Sequence, residues 1–216
     1  CSSLPETVEL SRYAIEKGAD AVIIVPPFYF KDVSLSGILD YYRAVLRAIP
    51  PEGKVLLYNI PSLSGVEIQD GLVDALQSEF PRQLLGIKDT SGSLEKTKHY
   101  IEHYPGLRIF SGSDEHLASC LKAGVAGAIS SLANVFPEVA VAIHRAHVAG
   151  GDVETAQALF SKLRRLTRKY PMQSANKHLL HIFGGLPPTY VRPPLAELAP
   201  EEAAALESEA RAVLSS

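Results

Sequence analysis

Cysteine is scarce: only Cys1 and Cys120 occur in 216 residues, too few for a disulfide framework or a cysteine-built metal cluster. A reduced, intracellular compartment is therefore the default expectation. An excess of one charge is also missing. Lys plus Arg number 21 and Asp plus Glu 24, a formal charge of -3, so neither a nucleic acid nor an acidic membrane surface is an expected partner. No apolar run is long enough to cross a bilayer, and the opening residues lack the basic and apolar segments of a secretory leader. These absences predict a cytoplasmic protein. The histidines and acids form no evident ligand pattern, so neither a metal nor another cofactor is expected. What remains is ample apolar material for one domain, or for a large piece of one.

Helical and strand periodicities alternate along the first two thirds of the chain. An amphipathic pattern over Pro5–Lys17 ends at Gly18, and the near-continuous apolar run Ala21–Val25 reads as a buried strand stopped by Pro26 and Pro27. The same reading gives a helix over Ser34–Ile49, a strand over Val55–Ile60, a helix from Glu67 to Gln77 and a strand ending at Lys88. A helix over Leu94–Tyr104, a strand over Leu107–Phe110, a helix over Asp114–Ala123 and a strand over Val125–Ser131 follow. Beyond Phe136 the pattern is helical: Pro137–Val148, Val153–Tyr170, Ser174–Phe183 and Pro200–Leu214. Five strand-helix units predict an α/β fold with a parallel sheet. Its functional edge lies at the carboxyl ends of the strands, where Tyr58, Asn59, Lys88, Asp89 and the 111–115 loop would gather. Arg164, Arg165, Arg168 and Lys169 read as a solvated helix face.

Lys88 stands out because it closes a buried run and opens the turn of GIKDTSG, residues 86–92. Burial disfavours the charged ammonium, and only the neutral amine attacks a carbonyl to form a Schiff base. The alternative is a lysine whose stem is buried while its amine reaches water. Both readings stay open on local sequence alone.

YNIPSLSG at 58–65 and GIKDTSG at 86–92 resemble the signatures of the dihydrodipicolinate synthase and N-acetylneuraminate lyase superfamily. GADAVIIVPPFYF precedes them, and SGSDE at 111–115 and GAISSLAN at 127–134 follow in the family's order. The resemblance implies an incomplete TIM (β/α)8 barrel retaining about five parallel strands over residues 1–149, then a C-terminal helical region over 150–216. It implies a C-terminal portion beginning after barrel strand three, derived from a longer parent that assembles as a homotetramer.

For chemistry, the resemblance implies a class I aldolase or lyase acting on pyruvate or a 2-oxo sugar acid. Lys88 would form the Schiff base, Tyr58 would shuttle a proton at the reacting oxygen, and Tyr29 would support that relay across a subunit interface. Leu63, Ser64, Gly65, Thr90, Asp114, Glu115, Ile129 and Ser131 match positions that shape the substrate pocket. A true dihydrodipicolinate synthase usually carries an arginine for the substrate carboxylate where this chain has Leu63. That replacement removes charge and hydrogen bonds together, and it directs the expectation to a 2-keto-3-deoxy sugar acid. Dihydrodipicolinate synthase itself, or an inactive sugar-acid-binding or regulatory protein, are the alternatives. Asp114 and Glu115 are equally readable as a helix cap and a first-turn charge. The seven histidines suggest no triad, and Asn176 and Lys177 stay without a role.

Overall fold

The computed structural model describes residues 1–215. The fold is α/β, an incomplete TIM barrel in which the strands run in the order β1-β2-β3-β4-β5 and are followed by helices. The chain forms two compact units, one of residues 1–112 with 123–126, the other of 113–122 with the chain from Gly127 onward.

The first unit holds α1 (Leu4–Glu16), β1 (Val22–Ile24), α2 (Leu35–Ala48), β2 (Val55–Asn59) and the short α3 (Pro61–Ser64). It continues with α4 (Asp70–Glu79), β3 (Leu84–Asp89), α5 (Leu94–His103) and β4 (Arg108–Ser111). Strand pairs β1/β2, β2/β3 and β3/β4 are parallel. Val55, Leu56 and Leu57 of β2 are all buried, as expected of a central strand covered on both faces. Ile38, Tyr42, Val45 and Leu46 place one face of α2 in the core, and Leu72, Val73 and Leu76 do the same for α4. Ser34 and Ser93 begin α2 and α5 by accepting hydrogen bonds from the amides of Gly37 and Lys96, both at 3.2 Å.

Gly86 is required by space. A Cβ there would sit 1.8 Å from the carbonyl oxygen of Arg108 on β4. Its register partner is Arg108 itself, and the same register sets Tyr58 beside Lys88 and Asn59 beside Asp89.

The second unit contains most of α6 (Leu117–Ala123), β5 (Gly127–Ala128), a 3-10 turn (Leu132–Asn134), α7 (Pro137–Val148), α8 (Glu154–Thr167), α9 (Met172–Gly184) and α10 (Pro200–Leu214). Strand β5 is only two residues long where the periodicity predicts seven. Glycine, alanine and serine there supply little of the branched bulk that favours extended chain. Among the described residues, no helix is long and apolar enough to cross a membrane.

Candidate active site

In the first unit the chemistry-bearing residues are set by the β2/β3 register. Tyr58 and Lys88 are direct partners, and the Lys88 Nζ lies 3.9 Å from the centre of the Tyr58 ring. Both are half-buried. The amine thus rests on the electron-rich ring face, a favourable cation–π placement.

Because strand side chains alternate, the next pair, Asn59 and Asp89, belongs to the opposite face. Asp89 is 2% exposed and fully engaged. It accepts from Asn59 Nδ2 at 2.8 Å, from the Ser91 amide at 3.1 Å and hydroxyl at 3.0 Å, and from Thr97 Oγ1 at 2.6 Å. Asn59 Oδ1 in turn accepts from the Ile68 amide at 3.0 Å. This knot fastens the turn after Lys88 to β2 and to α5. Asn59 and Asp89 were both expected at the strand edge, but their engagement in such a knot was not legible, since Thr97 and Ile68, eight and nine residues away, belong to other segments whose approach depends on the fold.

The Thr90 amide donates to Asn59 O at 2.8 Å, while its Oγ1 is buried without a hydrogen-bond partner. A Cβ at Gly112 would fall 2.0 Å from that oxygen, so glycine there leaves the hydroxyl its space. Leu63, on α3, is 73% exposed. Ser64 is consumed by the turn, its hydroxyl lying 3.0 Å from Ile60 O and 2.9 Å from Val66 O, and Gly65 ends α3 with φ +70°. Tyr29 is 76% exposed and meets Phe30 edge-on at 5.1 Å. Sequence reasoning missed Lys31, whose Nζ donates to Phe28 O at 2.7 Å and Ser64 O at 3.2 Å, tying the Tyr29 loop to α3. Its place two residues beyond Tyr29 was the available signal. A cavity of about 600 Å³ lies between α1, which contributes Thr7, Leu10 and Ser11, the residues of β1, and Tyr58, Ile60, Leu63 and Ser64; Lys88 is not part of its lining. Its walls are mainly apolar, as in most small-molecule sites.

In the second unit, Asp114 is 5% exposed. Its Oδ1 accepts from the Ser130 hydroxyl, and its Oδ2 lies 3.5 Å from Arg164 Nε. Glu115 pairs with Arg168 and, at 3.8 Å, with Arg165. Arg165, Arg168 and Lys169 are exposed, as a solvated helix face requires, and each also meets an acid, Lys169 pairing with Glu209. The partners lie some fifty residues apart, beyond the reach of local pattern. Ser131 contacts the Met172 sulfur through its hydroxyl at 3.3 Å, and its carbonyl accepts from Asn176 Nδ2 at 3.3 Å. Ile129 is half-buried. Among the described residues, no three His, Cys, Asp or Glu side chains are placed to hold a metal ion.

Burial raises the Asp114 pKa, against the opposing influence of Ser130 and Arg164. The folded protein then holds this proton more tightly than the unfolded chain does. Asp114's contribution to stability is accordingly full at low pH and is lost as pH rises from the ordinary value of 3.8 through the raised one. Urea unfolding of wild type and Asp114→Asn across that window should show their difference moving in the variant's favour with rising pH. A pH-independent difference would contradict the assignment.

The sequence profile of the dihydrodipicolinate synthetase family matches residues 1–213. The chain belongs to that family. An uncharacterized DapA-like lyase of Chloroflexus aurantiacus is 43% identical over 208 residues, covering 96% of this chain and 70% of the relative. The 2-dehydro-3-deoxy-D-gluconate/2-dehydro-3-deoxy-phosphogluconate aldolase of Thermoproteus tenax is 34% identical, covering 94% of this chain and 65% of the relative. The crystal structure of YagE from Escherichia coli K12, in complex with pyruvate, superposes with a TM-score of 0.90 at 28% identity, covering 99% of this chain and 72% of that one. The chain thus spans about two thirds of the length of these family members.

Proposed function

We propose that the protein is a class I aldolase or lyase in which Lys88 forms a Schiff base with pyruvate, or with the 2-oxo group of a 2-keto-3-deoxy sugar acid. The observation that carries this reading is the amine of Lys88 lying across the Tyr58 ring on neighbouring strands. The neutral amine attacks the carbonyl carbon and water leaves. The resulting iminium draws electrons from the adjacent carbon, so a carbon–carbon bond breaks to give an enamine and an aldehyde, or forms in reverse. Tyr58 carries the proton to and from the reacting oxygen, since a phenol both donates and accepts. The pyruvate in the YagE complex supports the ketone partner.

Leu63 supports a sugar acid over aspartate semialdehyde, because an exposed apolar side chain offers a second carboxylate no charged donor. The unpartnered Thr90 hydroxyl offers a hydrogen bond to a polar substrate. We assign Ser64 and Gly65 to shaping the turn that presents Leu63, and Asp114 and Glu115 to the frame held by the α8 arginines. Ile129 and Ser131 are proposed for the pocket from family position, and Tyr29 and the homotetramer on the same ground. Dihydrodipicolinate synthase activity is the second reading, favoured by the family to which the chain belongs.

The test is incubation with pyruvate and borohydride, followed by peptide mass spectrometry. A reduced pyruvyl adduct on Lys88 is expected. A folded protein that binds pyruvate without a reducible adduct would instead be a binding or regulatory protein. Turnover of aspartate semialdehyde in preference to polyhydroxy aldehydes would favour the second reading.

A further inference from the structure

Lys31 joins two segments that leave neighbouring strands of the sheet. Residues 28–31 follow β1, and α3 follows β2 directly after Tyr58, Asn59 and Ile60. Both stand at the carboxyl ends of parallel strands, the edge where α/β folds place their substrates. The ammonium donates to Phe28 O at 2.7 Å on one segment and to Ser64 O at 3.2 Å on the other. Ser64 is the last residue of α3, so its carbonyl meets no amide of the same helix. A Cβ at Gly65 would lie 3.2 Å from Lys31 Cδ and 3.3 Å from Nζ, which shows the lysine lying across the end of α3. Asp32, the next residue, has φ +55°, the one positive value outside glycine among the described residues. Such a conformation is uncommon for a residue with a side chain and persists where neighbouring contacts hold it. A lysine that merely reaches solvent needs neither the open space at Gly65 nor the turn at Asp32.

Phe28 and Ser64, whose carbonyls Lys31 bridges, both line the cavity of about 600 Å³, and so do Tyr58 and Leu63. The ammonium thus fixes how far the aromatic loop stands from α3 in the cavity that Tyr58 also reaches. The position of Lys88 is set elsewhere, by the β2/β3 register and by the bonds through Asp89. We infer that Lys31 is a positioning residue for the aldehyde component of the substrate, holding residues 28–30 against α3 at the spacing a polyhydroxy aldehyde needs. This inference rests on the aldolase reading of Lys88 and Tyr58. An aldehyde too small to reach both segments gains nothing from their spacing, so the latch raises selectivity for larger ones.

The test compares wild type, Lys31→Met and Lys31→Arg, each given pyruvate with either glyceraldehyde or acetaldehyde. Methionine keeps the unbranched stem without the donors, and arginine keeps both donors and charge. Lys31 is exposed, so both variants are expected to fold. Lys31→Met should raise KM for glyceraldehyde and lower the ratio of kcat/KM for glyceraldehyde to that for acetaldehyde about tenfold, and Lys31→Arg should bring the ratio back to within about threefold of wild type. A general loss of stability or of Lys88 chemistry lowers both rates together and cancels in that ratio. An unchanged ratio, or one that arginine fails to restore, overturns the proposal. Borohydride trapping with pyruvate alone reports separately on the aldolase reading. Where the wild type turns over neither aldehyde, binding of 2-keto-3-deoxygluconate decides: wild type should bind about tenfold more tightly than Lys31→Met, and equal binding, or none, overturns the proposal.

Discussion

Lys88→Arg is expected to abolish imine trapping by pyruvate and to lower aldol turnover at least about a thousandfold, with the fold intact. The two side chains share a long stem and a positive charge, and both sit favourably over an aromatic ring, so the placement across Tyr58 is preserved. They differ in the one respect that matters to a nucleophile. An arginine guanidinium is not deprotonated in a protein, so no free lone pair attacks a carbonyl. Thermal unfolding should therefore move little while the borohydride adduct disappears. Loss of turnover with retained pyruvate binding is the expected pattern; an adduct appearing on another lysine would place the nucleophile elsewhere.

Gly86→Ala is expected to destabilise the protein by about 3 kcal/mol or more, measured as a fall in the urea midpoint. The added methyl would meet Arg108 backbone atoms at 1.8 Å, 2.7 Å and 2.9 Å. Backbone in a paired strand cannot swing aside as a flexible side chain does, so relief requires β3 and β4 to part. Gly92→Ala provides the contrast. Its φ of +80° strains any other residue, yet its Cβ position is open, so the cost should stay near the ~1 kcal/mol of a purely conformational misfit. Equal losses for the two variants would mean that β3 and β4 separate more readily than their register suggests.

The parts of this protein that were legible in the sequence are those whose signal is local. The buried run of β2 and the punctuation after each strand place Tyr58 and Lys88 near strand ends, and parallel pairing then makes them neighbours. Helix α3 escaped notice because four residues carry too little periodicity to register. Strand β5 was overestimated because small residues permit extension without demanding it. The partners of Asp114 and Glu115 were illegible for a different reason. The periodicity starts a helix at Asp114, whereas α6 begins only at Leu117, so the two acids cap nothing, and nothing near them announces that arginines of α8 will claim them. Asp89 shows the same limit, since its hydrogen bonds reach back to β2 and forward to α5.

The alternation that sends Lys88 to one face and Asp89 to the other also separates two kinds of evolutionary freedom. The bonds that fix the turn after Lys88 are made through Asp89, on the opposite face of the strand. Residues such as Leu63, exposed on a short helix of their own, can change without disturbing those bonds. A lineage built this way can exchange one aldehyde partner for another by small substitutions at the rim. In the proposed mechanism the electron-accepting step at Lys88 is untouched by such changes, so new specificity need not begin by rebuilding catalysis.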